Sequence, residues 1–353
     1  MKVFQIIPQF TVGGAEIMAE NLIYELKELS CDVTAVSFYH YQSDITKRLE
    51  ENGIRIIYLG KKKGLDLGLL IKLYKLLKAE KPDAVHTHIG AAQYAFPAAV
   101  LAKIKKIVHT VHNVAQKETS AFNQRINKFY FKHAYVTPVA LSGLVQESIE
   151  KVYGIQSSNI PVVFNGMPLH KYIIRDNYCV GDKINIMHIG RFSEQKNHAG
   201  LIEAFEKVVS AYPNTVLNLY GEGHLQGLIK DIVTQKNLEG SVVFHGLTDR
   251  VADKLSQNDI FCLPSNYEGV PMTLIEAMAS GMPIVATGVG GVPDMLTDGR
   301  DAFVCDNNTD VVAHCLMRLI ESQKLREAFG QNALKRAYDF SSKKMAEDYM
   351  KLY

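Results

Sequence analysis

The segment PSNYEGVPMTLIEAMASGMPIVATGVGG, residues 264–291, carries two carboxylates, Glu268 and Glu276, with seven residues between them and a Gly-Val-Pro step after the first. Pro271 suits a first helical position, where its missing N–H costs nothing and its fixed φ fits the turn. Residues 273–279 are good helix formers, and Gly281 followed by Pro283 supplies a stop. Glu268 is therefore expected on the loop before the helix and Glu276 inside it. Between them lie the free N–H groups of the helix's first turn, which attract an anion. An anion flanked by two carboxylates fits a phosphate ester with hydroxyl-rich groups at both ends. A nucleotide sugar has that shape.

Other segments add cations and close backbone. HIGRFSEQKN, residues 188–197, leaves a strand through Gly190 and sets Arg191 and Lys196 five residues apart. Arginine offers a planar fork to phosphate oxygens and lysine a mobile point charge, a pair suited to a diphosphate, although most such pairs are solvated loops. LYGEGHLQG, residues 219–227, has glycines at 221, 223 and 227. That spacing can mark a dinucleotide loop, but no acidic residue ends the next strand, VVFHG, so a tight turn under a different nucleotide competes. QFTVGGAE leaves the first strand through Gly13 and Gly14, either as a plain turn or to let backbone approach a ligand.

Histidines cluster at strand ends, in HTH at 86–88 and TVHN with His109 and His112. Any one is more often structural, and the Cys and H-E-x-x-H patterns that would support zinc are missing. His112 is the exception, at a strand end beside Asn113 and facing a ligand cleft. The sequence has no G-x-x-x-x-G-K-[ST] loop, no G-x-S-x-G elbow and no D-x-D metal motif. Neither a metal nor a cofactor is expected.

The elements that must hold these residues alternate from end to end. KVFQIIP, CDVTAVSF, IRIIYL, DAVHTH and KIVHTVHN read as buried strands, and so do INIMHIG, TVLNLYG, VVFHG, DIFCLP, PIVAT and AFVC. Helical patterns such as 15–29 and 67–81 separate them, which implies parallel β-α-β units. At 353 residues the chain exceeds one ordinary core. A seam in the turn-rich stretch 162–183 gives two doubly wound α/β domains, 1–165 and 166–340, facing each other across a cleft. The final helix, 341–353, is expected to pack back on the first domain.

Composition, 47% hydrophobic and 22% charged, is that of an ordinary globular protein. The net charge of +2 gives no reason to expect nucleic acid, but residues 1–165 hold 20 Lys+Arg against 14 Asp+Glu, a local +6. Five cysteines at 31, 179, 262, 305 and 315 form no C-x-x-C pair, which fits a reducing cytoplasm. The start MKVFQIIPQF lacks a signal peptide's apolar region, and the apolar run 91–102, broken by Gln93 and Pro97, is too short to span a bilayer.

Taken in order, GGAE, TVHN, FNG, GRFSEQKN, GEG and the E-x7-E of EGVPMTLIE resemble the retaining glycosyltransferases of GT-B fold, glycosyltransferase family 4, over nearly the whole chain. The resemblance implies two Rossmann-like domains, the first on the acceptor side and the second binding the nucleotide sugar. It makes Arg191 and Lys196 the clamp on the donor diphosphate, Glu276 the partner of the ribose hydroxyls and Glu268 the holder of the transferred sugar. Thr273 and Leu274 offer backbone N–H groups to phosphate, and Gly190 and Gly221 line the donor. Arg250 lies where the base is held, Gly13 and Gly14 near the diphosphate from the other domain, and His112 near the sugar. Many relatives carry an aromatic residue and a glycine after Glu268-Gly269, whereas this chain has Val270-Pro271.

The implied reaction moves a hexose or N-acetylhexosamine from a UDP-linked donor with retained configuration, without metal, to a glycan acceptor on a polyprenyl diphosphate in bacterial surface-polysaccharide assembly. A nucleotide-sugar epimerase and a catalytically silent nucleotide-sugar binder share the architecture and are the alternatives. Lys61, Lys62, Lys63, Lys72, Lys75 and Lys78, with Arg125, Lys128 and Lys132, suggest reversible binding to anionic lipid on the cytoplasmic membrane face. Two solvated helix faces are the plainer explanation.

Overall fold

The computed structural model describes residues 1–11 and 13–353. The chain divides into two units, Met1–Pro168 with Phe340–Tyr353, and Leu169–Asp339. In the first, β1 (Lys2–Ile7), β2 (Asp32–Ser37), β3 (Arg55–Tyr58), β4 (Ala84–His88), β5 (Lys106–Val111) and β6 (Thr137–Ala140) form a parallel sheet in the order β3-β2-β1-β4-β5-β6. In the second, β7 (Ile184–Ile189), β8 (Thr215–Tyr220), β9 (Val242–Gly246), β10 (Ile260–Leu263), β11 (Ile284–Thr287) and β12 (Phe303–Cys305) run β12-β11-β10-β7-β8-β9, again all parallel.

Both sheets therefore follow one doubly wound order. Each begins at its centre, winds to one edge, then crosses back and winds to the other. The switch points fall between β1 and β4, and between β7 and β10, where loops diverge and leave a crevice at the strands' C-terminal ends. The strands are mostly apolar because helices cover both sheet faces, with Gln5, His86, His88, His109 and Thr110 as buried polar exceptions in the first sheet. Val3, Phe4 and Ile6 of β1 and all of β10 are fully buried.

Helices dock by one apolar stripe. The helix Gly14–Glu28 buries Met18, Leu22 and Leu26 with Ala19 and Ile23, the spacing of a single helical face. The segment after Phe340 belongs to the first unit: its helix, Ser342–Met350, packs Met345, Ala346 and Tyr349 into the cluster that holds Met18, Leu22 and Ile23. The apolar run noted at 91–102 is the buried helix Ala92–Leu101, which contains Pro97. Among the described residues no helix is long and apolar enough to cross a membrane.

One strand escaped the sequence reading. β6 contains Pro138, which cannot donate to a ladder on both sides and so argues against a central strand. It is the last strand of the sheet, with β5 as its neighbour and a single bridge from Ala140 to Val162 on its outer side, and proline is tolerated at such an edge.

Candidate active site

In the second unit the loops after β7 and β10 meet at the switch point. The first makes a short turn, Glu194–Lys196, and ends at Asn197, whose side chain caps the helix His198–Ala211 and also donates to the Pro264 carbonyl at 3.2 Å. This tie brings Lys196 against the second loop. Lys196 Nζ lies 2.6 Å from Glu268 Oε1. Ser265 Oγ donates to the same oxygen at 2.6 Å, and Gln195 Nε2 reaches Oε2 at 3.4 Å. Glu268 is only 7% exposed. Such a buried pair persists because each charge replaces the other's water, and removing one partner is costly.

The support of this loop comes from backbone rather than from charged side chains. Gly290 has φ +57°, and a Cβ there would lie 1.7 Å from the Glu268 carbonyl oxygen. Gly291 N donates to the Gly269 carbonyl at 3.1 Å. The Gly-Gly pair closing the 264–291 segment is thus a backbone cradle for Glu268. The only sequence signal was the glycine pair itself.

The helix expected after Glu268 is Met272–Ala279, with Pro271 at its cap in an extended conformation (ψ 112°) rather than at its first helical position. Proline's ring constrains φ, which both positions share, so the sequence alone does not separate them. Leu274 N, assigned to phosphate, donates to the Pro271 carbonyl at 3.0 Å, so an anion there must share it. No side chain caps this end, and Thr273 Oγ1 is buried without a partner among the described residues. Glu276 lies on the same helix, and Tyr172 donates its hydroxyl to Glu276 Oε1 at 2.9 Å. Burial raises the Glu276 pKa above the usual carboxylate range, while the bond from Tyr172 opposes the rise. Tyr172 lies in an irregular segment and gave no sequence signal.

A cavity of about 220 Å³ opens beside these loops, lined by Gly190, Arg191, Tyr220, Gly221, Leu247 and Thr248. Gly221 (φ +130°) is required by a close approach, because a Cβ would sit 2.1 Å from the Gly190 carbonyl oxygen. The glycines at 221 and 223 thus let two strand-end loops touch. Arg191 is exposed and has no ion-pair partner among the described residues. The Arg250 guanidinium turns to Asp253 Oδ2 (Nε, 2.6 Å), and Leu247 and Thr248, not Arg250, line the cavity.

The first unit presents its own strand ends. Gly13 caps the helix Gly14–Glu28, and open space surrounds the Cβ position of Gly14. Thr11 Oγ1 donates to Glu16 Oε1 at 2.6 Å, which sets that carboxylate beside Gly13. His112 follows β5, is half-buried, and contacts His88 Nδ1 through Nε2 at 3.1 Å. Burial lowers its pKa to about 4, so it is neutral at pH 7. The loop after it is held by Glu118 Oε2, which accepts from Asn113 N at 2.8 Å. Burial raises the Glu118 pKa to about 7. His86, His88 and His109 are fully buried and hydrogen-bonded, His86 to Thr110 and Tyr353, His88 to Gln5 and His109 to Thr87. Among the described residues no three His, Cys, Asp or Glu side chains gather to hold a metal ion.

Two doubly wound parallel sheets, each opening a crevice at its switch point, define a chain of two Rossmann-like units. The chain belongs to the GT-B glycosyltransferases: the family model described as Glycosyltransferase Family 4 matches residues 12–171, and that described as Glycosyl transferases group 1 matches residues 171–336. It is 28% identical over 309 residues to the N-acetyl-alpha-D-glucosaminyl L-malate synthase of Bacillus anthracis, covering 82% of this chain and 78% of that one. It is also 28% identical over 278 residues to the UDP-Gal:alpha-D-GlcNAc-diphosphoundecaprenol alpha-1,3-galactosyltransferase of Escherichia coli, covering 74% and 72%. The crystal structure of Anabaena Alr3699/HepE in complex with UDP superposes with a TM-score of 0.80 at 19% identity, over 99% of both chains. That likeness is one of fold.

Proposed function

We propose that the protein is a retaining, metal-independent glycosyltransferase that moves a hexose or N-acetylhexosamine from a UDP-linked donor to a glycan carried on a polyprenyl diphosphate, in bacterial surface-polysaccharide assembly such as that of lipopolysaccharide O-antigen. The observation that carries this reading is the Lys196–Glu268 pair beside the uncapped N-terminus of Met272–Ala279. Together they set a cation, N–H dipoles and a sugar-binding carboxylate around one point. Arg191 and Lys196 hold the diphosphate, the Met272, Thr273 and Leu274 amides share its charge, and Glu276, oriented by Tyr172, accepts from the ribose hydroxyls. The base enters the cavity at Gly190, Gly221, Leu247 and Thr248, beside Arg250. As the sugar–phosphate bond breaks, the cations and dipoles stabilise the growing negative charge, and the leaving phosphate takes the acceptor's proton. The UDP donor draws support from the Anabaena complex, and the lipid-linked acceptor from the Escherichia coli relative.

We place the enzyme on the cytoplasmic face of the inner membrane as a peripheral protein. Exposed Leu65, Leu67 and Ile71 accompany the basic run at 61–63, and exposed Phe122 and Phe129 share their helix with Arg125, Lys128 and Lys132. Incubation of the protein with UDP-sugars and a polyprenyl-diphosphate glycan tests the reading. Sugar transfer that persists in chelator supports it. Conversion of the free nucleotide sugar alone indicates an epimerase, and loss of transfer in EDTA with rescue by magnesium overturns the metal-independent step.

A further inference from the structure

A chain of buried polar side chains runs inward from His112. His112 Nε2 meets His88 Nδ1 at 3.1 Å, and His88 Nε2 meets Gln5 Oε1 at 2.8 Å. Gln5 Nε2 donates to the Tyr353 hydroxyl at 3.1 Å, and that hydroxyl lies 2.6 Å from His86 Nδ1. His86 Nε2 continues to Thr110 Oγ1 at 2.7 Å, and Thr110 to the Tyr349 hydroxyl at 2.6 Å. Gln5, His86, His88 and Thr110 are buried. Both tyrosines belong to the segment Phe340–Tyr353, packed within the same unit.

Taking Gln5 Nε2 as the donor to Tyr353 sets the direction of donation along this chain. A glutamine amide has one donating and one accepting end. With its nitrogen given to Tyr353, Gln5 turns its oxygen to His88, so His88 carries its proton on Nε2. A neutral imidazole has one N–H, which leaves His88 Nδ1 an acceptor, and His112 must then donate from Nε2. The partner of one ring nitrogen thereby decides the state of the other. His112 is left with a lone pair on Nδ1.

We infer that Tyr353 is a positioning residue for His112, fixing it through Gln5 and His88 as the Nε2–H tautomer with Nδ1 free to accept a hydrogen bond from a sugar hydroxyl. The use of that lone pair on a sugar rests on the transferase reading; the tautomer does not. Tyr353→Phe removes the hydroxyl that orients Gln5, and Gln5→Met removes the amide while keeping its length. In either variant His112 loses the bias between its tautomers.

Long-range proton–nitrogen NMR of histidine-labelled protein, with His112→Gln to assign the resonance, reads the tautomer directly. The expected result is Nε2–H in the parent protein and a mixture in both variants. Transfer assays should then show kcat lower by roughly tenfold or more, the scale of lost alignment, with donor KM little changed. An Nδ1–H tautomer in the parent, or an unchanged His112 spectrum in a folded variant, overturns the inference. If Tyr353→Phe fails to fold, Gln5→Met decides. A parent protein that transfers no sugar yet shows the tautomer shift sinks the transferase reading and leaves the positioning intact.

Discussion

Lys196 Nζ and Glu268 Oε1 stand 2.6 Å apart, with side chains 14% and 4% exposed. The cation proposed for the donor diphosphate and the carboxylate proposed for the sugar therefore form one ion pair. Ser265 and Gln195 hold the same carboxylate from its other sides.

Arg191 and Lys196 should separate in stability although both lower turnover. Either alanine variant is expected to cut kcat by roughly 100-fold or more, the scale for losing a preorganised charge stabiliser. Arg191→Ala should leave Tm unchanged, since its side chain is exposed and makes no ion pair among the described residues. Lys196→Ala strands a buried carboxylate and should cost about 3 kcal/mol of stability. Calorimetry beside the transfer assay checks both. Near-normal turnover in either variant removes the clamp.

Glu276→Gln replaces a carboxylate that can accept from two ribose hydroxyls with an amide that has one acceptor oxygen. Donor KM should rise, and UDP and 2′-deoxy-UDP should compete almost equally. Tyr172→Phe should give a milder rise, because Glu276 keeps its charge but loses the 2.9 Å bond that orients it. Competition assays that still prefer the ribose form in Glu276→Gln would remove that role.

Gly290→Ala should be far worse than an ordinary surface change. Its Cβ would fall 1.7 Å from the Glu268 carbonyl oxygen, at a φ of +57° that side chains resist. The loop must move, taking Glu268 and Lys196 with it. Thermal unfolding and donor titration should both show the loss; an unchanged Tm and unchanged donor binding would mean the cradle is dispensable.

Stability should fall as the medium is acidified below about pH 6.5. Burial lowers the pKa values of His86 and His88 far below normal, His109 to about 3, His112 and His188 to about 4, and His198 to about 2. In the fold these imidazoles stay neutral where the unfolded chain binds protons, so stability is full above the unfolded pKa and drains as pH falls. Glu118 and Glu276, with raised values, act in the opposite direction, binding protons in the fold that the unfolded chain has released. With His245, also lowered by burial, seven groups against two leave a positive net slope. A Tm at about pH 5 equal to that at about pH 7.5 would contradict it.

Most of the architecture was legible in the sequence because buried parallel strands are written as apolar runs bounded by turns. β6 was not, since Pro138 hides an edge strand behind a residue that normally forbids one. At the site, charged residues on strand-end loops announced themselves by type and spacing. Supporting groups did not. Tyr172 sits in an irregular segment, Gln5 lies inside a strand, and Tyr353 is 348 positions from the glutamine it touches. Local spacing carries no information about such contacts. Proline's φ fits both a cap and a first helical turn, so the start of Met272–Ala279 and the engaged Leu274 amide needed coordinates.

The segment Phe340–Tyr353 has a consequence for how the chain is made. One face of the first unit's core, around Met18, Leu22 and Ile23, is covered by Met345, Ala346 and Tyr349. On a ribosome adding about 5–20 residues per second, that face waits on the order of ten to thirty seconds after Pro168 for its cover. The second unit, contiguous in sequence, has no such wait. The first half to be synthesised is the last to be completed, and its bare apolar stripe is the surface a nascent-chain chaperone would meet.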